Sequence, residues 1–165
     1  VIRDTHSSWK KVTSGVPQGS VIAPIMFQIY VNDIQCGVTS YINLFADDAK
    51  LLRVIENIYD CQQLQRDMDK IYQWSVKWKL EFNTKKCHVM EIGKSKRRPS
   101  WDYRMGEEII TKSKEEKDLG VIMQDTLRPE QHINNIFGAT YRMLANIRVA
   151  FSYMDKSTYD EENHN

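Results

Sequence analysis

At 165 residues the chain is one domain's worth of polypeptide, and its four Trp, eight Tyr and 41% apolar residues argue for a packed core rather than disorder. A formal net charge of +1 supplies no global field toward nucleic acid, so any such contact must come from a local patch. No apolar run approaches 18 residues and no signal-peptide pattern opens the chain, which excludes a membrane segment, while three widely spaced cysteines (Cys36, Cys61, Cys87) suggest reduced thiols in an intracellular compartment, nucleus or cytoplasm.

The first residues, Val1-Ile2-Arg3-Asp4, read as the middle of something, and the acidic end, Tyr159 to Asn165, carries no fold signal. Both termini are expected to be cuts in a longer protein. A polar lead-in ends in the turn-rich stretch Ser14-Gly15-Val16-Pro17-Gln18-Gly19-Ser20. Ser20 is a good N-cap for a helix from Val21 to about Ile34, with Pro24 harmless in the first turn and Ile22, Ile25, Met26, Ile29, Tyr30 and Asp33 spaced at threes and fours. Two apolar runs, residues 41–46 and 49–54, then flank Asp47-Asp48 and predict a hairpin.

The spacing predicts a long amphipathic helix over residues 57–80. Cys61, Leu64, Met68, Ile71, Ser75 and Trp78 mark its inner face, Trp74 stands at the margin, and Gln62, Gln63, Arg66, Asp67, Lys70 and Lys77 lie elsewhere. A strand follows at 87–92, where neighbours Cys87 and His88 point to opposite faces and do not share a metal. Lys94-Ser95-Lys96-Arg97-Arg98 is the one basic patch, with a solvated loop as its alternative reading. A hairpin over 101–112 turning at Gly106-Glu107 and a strand at 118–123 come next. Pro129 opens a last helix to about Phe151, striped by Ile133, Ile136, Phe137, Tyr141, Leu144, Ile147 and Phe151. This order gives an α+β fold with an antiparallel sheet.

Asp47-Asp48 is the most informative pair. Two adjacent like charges repel, and a divalent cation is the usual remedy. Paired carboxylates on a tight turn are how phosphoryl-transfer enzymes hold two magnesium ions about 4 Å apart. The competing account is a type I′ turn, where Asp is welcome because it tolerates positive φ.

Three blocks in fixed order decide between them. Ser14 to Ser20, the helix through Ile29-Tyr30-Val31-Asn32-Asp33, and Phe45-Ala46-Asp47-Asp48 together resemble the palm of reverse transcriptases from non-LTR (LINE-type, jockey-like) retrotransposons. Trp74-Ser75-Val76-Lys77-Trp78, Asn83 and Lys86-Cys87 look like that family's fourth block. Asp118-Leu119-Gly120-Val121 followed by His132-Ile133 resembles the start of its thumb. The similarity runs from about Ser8 to Thr158.

The resemblance implies an RNA-directed DNA polymerase acting by two-metal nucleotidyl transfer, with residues 1–125 the C-terminal part of the palm and 126–165 the start of the thumb and a truncated tail. It implies Mg²⁺ held by Asp47, with Asp48 as a less direct partner. Pro17, Gln18, Gly19, Phe45 and Ala46 would lie against template and nucleotide, where Gly15 and Gly19 permit close approach. Lys86 would donate a proton to departing pyrophosphate, unless it is a solvated strand-edge lysine. Leu119-Gly120 would grip the primer end. RNA template, DNA primer and dNTP are the implied partners. The family's other metal-binding aspartate and its fingers precede the Pro-Gln-Gly block. Asp4 is a poor substitute for that aspartate, and Asp33 reads as a helix cap. The chain alone is therefore expected to be inactive and, with an open sheet edge, to self-associate. A degenerate or co-opted fragment with weak nucleic-acid or protein binding is the alternative function.

Overall fold

The computed structural model describes residues 8, 11, 15, 16, 19–93 and 98–161, with side chains as far as Phe151. Contacts divide the chain into two units, Val1–Phe82 with Arg104–Gly106, and Asn83–Tyr103 with Glu107–Asn165.

The first unit begins with α1 (Ala23–Val31), with Pro24 in its first turn. Ser20 accepts the amide of Ile22 at 3.2 Å, but Ile22 is the N-cap and has no side-chain cap bond. The face of α1 is a correction. Ile22, Ile25, Met26 and Ile29 are exposed, whereas Phe27, Val31 and Ile34 turn into the core with Ile71 and Trp74. Nearly every residue of this helix is apolar, so periodicity alone could not choose its inner side.

Strands β1 (Tyr41–Phe45) and β2 (Asp48–Leu52) pair antiparallel from Tyr41↔Leu52 to Phe45↔Asp48. The cross-strand pair Ile42 and Leu51 packs against the core cluster, while Leu44 and Phe45, nearer the turn, are exposed.

Helix α2 (Ile58–Trp78) starts at a capping box. The Asn57 side chain accepts the amides of Tyr59 and Asp60, and the Asp60 carboxylate accepts those of Glu56 and Asn57. These backbone donors, Glu56 first, hold the Asp60 carboxyl below its ordinary value. Cys61, Met68, Ile71 and Ser75 are buried as expected, but two assignments reverse. Trp74 is 9% exposed and Trp78 is 37% exposed, so the core tryptophan is Trp74. Its indole donates to Asp33 Oδ1 at 2.7 Å, so Asp33 is no cap; Asn32 ends α1. Asp67, expected on the solvent side, is fully buried.

In the second unit a short 3₁₀ turn (Thr84–Lys86) leads into β3 (His88–Met90), which pairs in parallel with β6 (Thr111–Ser113). The two-residue strands β4 (Arg104–Met105), counted with the first unit, and β5 (Glu108–Ile109) flank the expected turn at Gly106-Glu107. The predicted strand at 118–123 is instead a hairpin. β7 (Glu115–Asp118) turns through Leu119-Gly120 into β8 (Val121–Gln124), because both turn residues adopt positive φ, 47° and 87°. Among the described residues the strands thus form small pairs, one of them parallel, in place of the single antiparallel sheet expected. Helix α3 (Glu130–Glu161) follows Pro129 and outruns its predicted end. His132 Nδ1 accepts the Ile122 amide at 3.3 Å and Gln131 pairs with Gln124, tying the first turn of α3 to β8. Beyond that turn its apolar stripe, Ile133 to Phe151, is exposed.

Candidate functional site

The hairpin is built as the flanking apolar runs require. Phe45 pairs with Asp48, which leaves Ala46 and Asp47 as the two residues of the loop. The turn is not the one that Asp favours. Ala46, at φ 51°, carries the left-handed conformation, and Asp47 is not among the positive-φ residues. Positive φ at the first central residue alone departs from a type I′ turn, which takes it at both. A Cβ in this region is uncommon and costs about 1–2 kcal/mol, so the loop holds local strain next to the two carboxylates. Phe45, Ala46, Asp47 and Asp48 are all exposed.

The other end of the hairpin is fixed by Asp67. Its Oδ2 accepts the Ser40 amide at 2.8 Å, the Ser40 hydroxyl at 2.7 Å and the Thr39 hydroxyl at 2.9 Å, just before β1. Arg53, just after β2, reaches the same oxygen at 3.7 Å and donates to the Thr39 and Ser40 hydroxyls at 3.1 and 3.3 Å. Oδ1 takes Gln63 Nε2 at 3.3 Å and Lys70 Nζ at 3.4 Å, and Lys70 also donates to the Gly37 carbonyl. Burial pushes the Asp67 carboxyl up, but the hydroxyl and amide donors of Ser40 and Thr39 outweigh it and hold it at about 2. Sequence reasoning missed this residue, although Asp67, Ile71 and Trp74 stand at helical spacing on the apolar stripe.

Of the loop expected to face template and nucleotide, Pro17 and Gln18 lie outside the described residues. Gly15 and Gly19 take φ of 80° and 84°, and a Cβ added to either would meet nothing within 4 Å among the described residues. The basic patch is described only at Arg98, which reaches Glu91 at 3.8 Å and donates to the Ile92 carbonyl. In the second unit, Lys86 is exposed at the end of the 3₁₀ turn rather than on a strand, and Leu119-Gly120 form the exposed β7–β8 turn. Cys87 and His88 do diverge. Cys87 donates to the Asn83 carbonyl, its thiol pushed up by burial, and His88 faces Glu116 at 3.0 Å.

As to metals, the hairpin tip offers two carboxylates and so fits part of the oxygen shell of Mg²⁺. Among the described residues no group of three His, Cys, Asp or Glu side chains converges. No helix among them is long and apolar enough to cross a membrane.

A family model described as reverse transcriptase (RNA-dependent DNA polymerase) matches residues 1–135. The RNA-directed DNA polymerase from mobile element jockey of Drosophila funebris is 30% identical over 140 residues, 79% of this chain and 15% of that protein. Its counterpart in Drosophila melanogaster is 29% identical over 140 residues, with the same coverage. The probable RNA-directed DNA polymerase from transposon X-element of Drosophila melanogaster is 26% identical over 136 residues. The chain thus spans about 15% of the length of the curated relatives it matches. No solved structure matches it.

Proposed function

The chain belongs to the reverse transcriptase family, in the kind carried by non-LTR retrotransposons, and from that membership we propose that it carries the Asp-Asp hairpin of an RNA-directed DNA polymerase. Residues 1–125 are then palm and residues 126–165 the start of the thumb. The observation that carries the reading is the exposed hairpin tip, where Asp47 and Asp48 stand clear of the core.

In this role Asp47 supplies the principal carboxylate for Mg²⁺ and Asp48 a secondary one. When bound, the metal pair neutralises charge on the attacking 3′-hydroxyl oxygen and on the departing pyrophosphate. Phe45, Ala46 and the Pro17–Gly19 loop lie along the nucleotide and template. The open space beside Gly15 and Gly19 supports close approach there. Lys86 protonates the leaving group and Leu119-Gly120 contact the primer end. RNA template, DNA primer and dNTP are the partners.

On this reading the 165-residue chain alone binds Mg²⁺ weakly, on the order of millimolar, because two carboxylates leave most of the octahedral shell to water. It therefore does not extend a primer by itself. Primer extension on an RNA template tests both statements, using the chain alone and the chain joined to the upstream segment of a jockey relative, each as wild type and Asp47→Asn. Extension by the joined protein should fall at least ~100-fold in Asp47→Asn, with none from the chain alone. Undiminished extension by Asp47→Asn would remove the hairpin from the chemistry. Extension by the isolated chain that depends on Asp47 would show that it completes the site itself.

A further inference from the structure

We infer that Asp67 is the positioning residue of the Asp47-Asp48 hairpin, a buried carboxylate on α2 that clamps both ends of the hairpin and thereby sets where its tip stands. The inference rests on the reading of that pair as metal ligands.

The contacts of Asp67 are directed rather than general. Every partner named for its Oδ2 belongs to the residues bracketing the hairpin, Thr39 and Ser40 on one side and Arg53 on the other. Arg53 in turn donates to the Thr39 and Ser40 hydroxyls, so the two ends are tied to each other as well as to the helix. Lys70, one turn further along α2, joins Asp67 to Gly37 and extends the clamp upstream. None of this is needed to make a helix. A well-packed apolar residue at such a site is often as stabilising as a buried ion, so a buried carboxylate is better understood through the geometry it enforces. Aspartate is rarely fully buried unless paired, and here Oδ1 is held by Gln63 and Lys70 on α2 while Oδ2 is given wholly to the residues that flank the hairpin.

The hairpin is a cantilever, which is why its base matters. Ile42 and Leu51 pack on the core, whereas Phe45, Ala46, Asp47 and Asp48 do not. Five strand residues separate Ser40 from the turn, roughly 17 Å at the rise of an extended chain. A tilt of about 5° at the base displaces the tip by about 1.5 Å over that length. Metal ligands tolerate about 0.2 Å, and a misplacement of about 1 Å at reacting groups can cost ~100-fold in rate. Loosening the base therefore degrades the tip without unfolding the domain.

The test uses the full 165-residue chain as wild type, Asp67→Asn, Thr39→Val and Cys61→Ala. Asp67→Asn keeps the shape and removes the charge. Thr39 is exposed, so Thr39→Val removes one clamp donor even if Asp67→Asn fails to fold. Cys61 is buried on the same helix and serves as the control for a purely structural loss. Amide hydrogen exchange is read at residues 41–52 and at Met68 and Ile71. Exchange across the hairpin should accelerate at least ~10-fold in Asp67→Asn and less in Thr39→Val, with α2 little changed. In Cys61→Ala hairpin and helix should move together. Mn²⁺, titrated as the probe metal, should bind the tip roughly tenfold more weakly in Asp67→Asn and unchanged in Cys61→Ala. Equal loosening of hairpin and α2 in Asp67→Asn, or unchanged hairpin protection in both clamp variants, would overturn the inference. If Mn²⁺ binds wild type and Asp47→Asn alike, the metal reading fails, while the exchange data still decide the clamp.

Discussion

Truncating Trp74 separates the observed core from the one that simple periodicity suggests. The indole is 9% exposed, and its Nε1–H donates to the Asp33 carboxylate at 2.7 Å. Loss of a buried Trp side chain costs about 3–5 kcal/mol, so Trp74→Ala should fall in that range. A hydrogen bond to a charged group accounts for about 1.5–3 kcal/mol of it. Trp74→Phe, which keeps an aromatic ring but loses the donor, should cost about that smaller amount. Trp78 offers the contrast. It is 37% exposed, meets Tyr30 edge-on at 5.6 Å between centroids, and has the Lys77 ammonium 5.4 Å from its ring. Its truncation loses an aromatic pair worth about 0.5–1.5 kcal/mol beyond area burial, together with less buried surface than at Trp74, so it should cost less than Trp74→Ala.

The chain comprises two units, so unfolding of the first is best followed through the exchange of α2 amides in urea rather than through total ellipticity. Equal losses for Trp74→Ala and Trp78→Ala would refute the assignment. So would a Trp74→Phe variant as stable as wild type, since the bond to Asp33 would then contribute nothing.

Two further outcomes are expected. The Asp67 carboxyl sits at about 2 in the fold against 3.8 for the free group, so its ionisation stabilises the fold by roughly 2–3 kcal/mol. A depressed folded value means that this contribution is complete above about pH 4 and is lost as pH falls through about 2. The stability gap between wild type and Asp67→Asn, measured in urea at pH 7, 4, 3 and 2, should therefore close at the acid end, and a gap constant to pH 2 would contradict the depressed value. Gly106 adopts φ 61°, and a Cβ there would stand 2.6 Å from the Tyr72 ring. Gly106→Ala should cost about 2–3 kcal/mol, falling to about 1 in a Tyr72→Ala background where only backbone strain remains; an unchanged penalty in the double variant would exclude the clash.

How much of this was legible in the sequence depends on how local the cause is. The Asp47-Asp48 hairpin was legible because two apolar runs separated by a short polar turn have few other ways to fold. Its turn type was not, since nothing in the one-dimensional pattern shifts the left-handed residue from Asp47 to Ala46. The Leu119-Gly120 turn hid inside an apolar run, where Gly120 was the only punctuation and a leucine is a poor guide to positive φ. On α1 the apolar residues surround the helix, so the contacts with Ile71 and Trp74, and not the pattern, decide that Val31 faces inward. Asp67 failed for the opposite reason. It sits on the apolar stripe, yet charge argued for solvent, and the partners that overrule charge are 14 to 28 residues away in sequence at Arg53, Ser40 and Thr39, well outside any window that helical periodicity inspects. The residues proposed to meet substrate announce themselves as motifs because chemistry restricts their identity. The residue inferred to aim them is constrained only by what the fold brings to it, and an ionisable residue on an apolar stripe is the one trace that such a constraint leaves in the sequence.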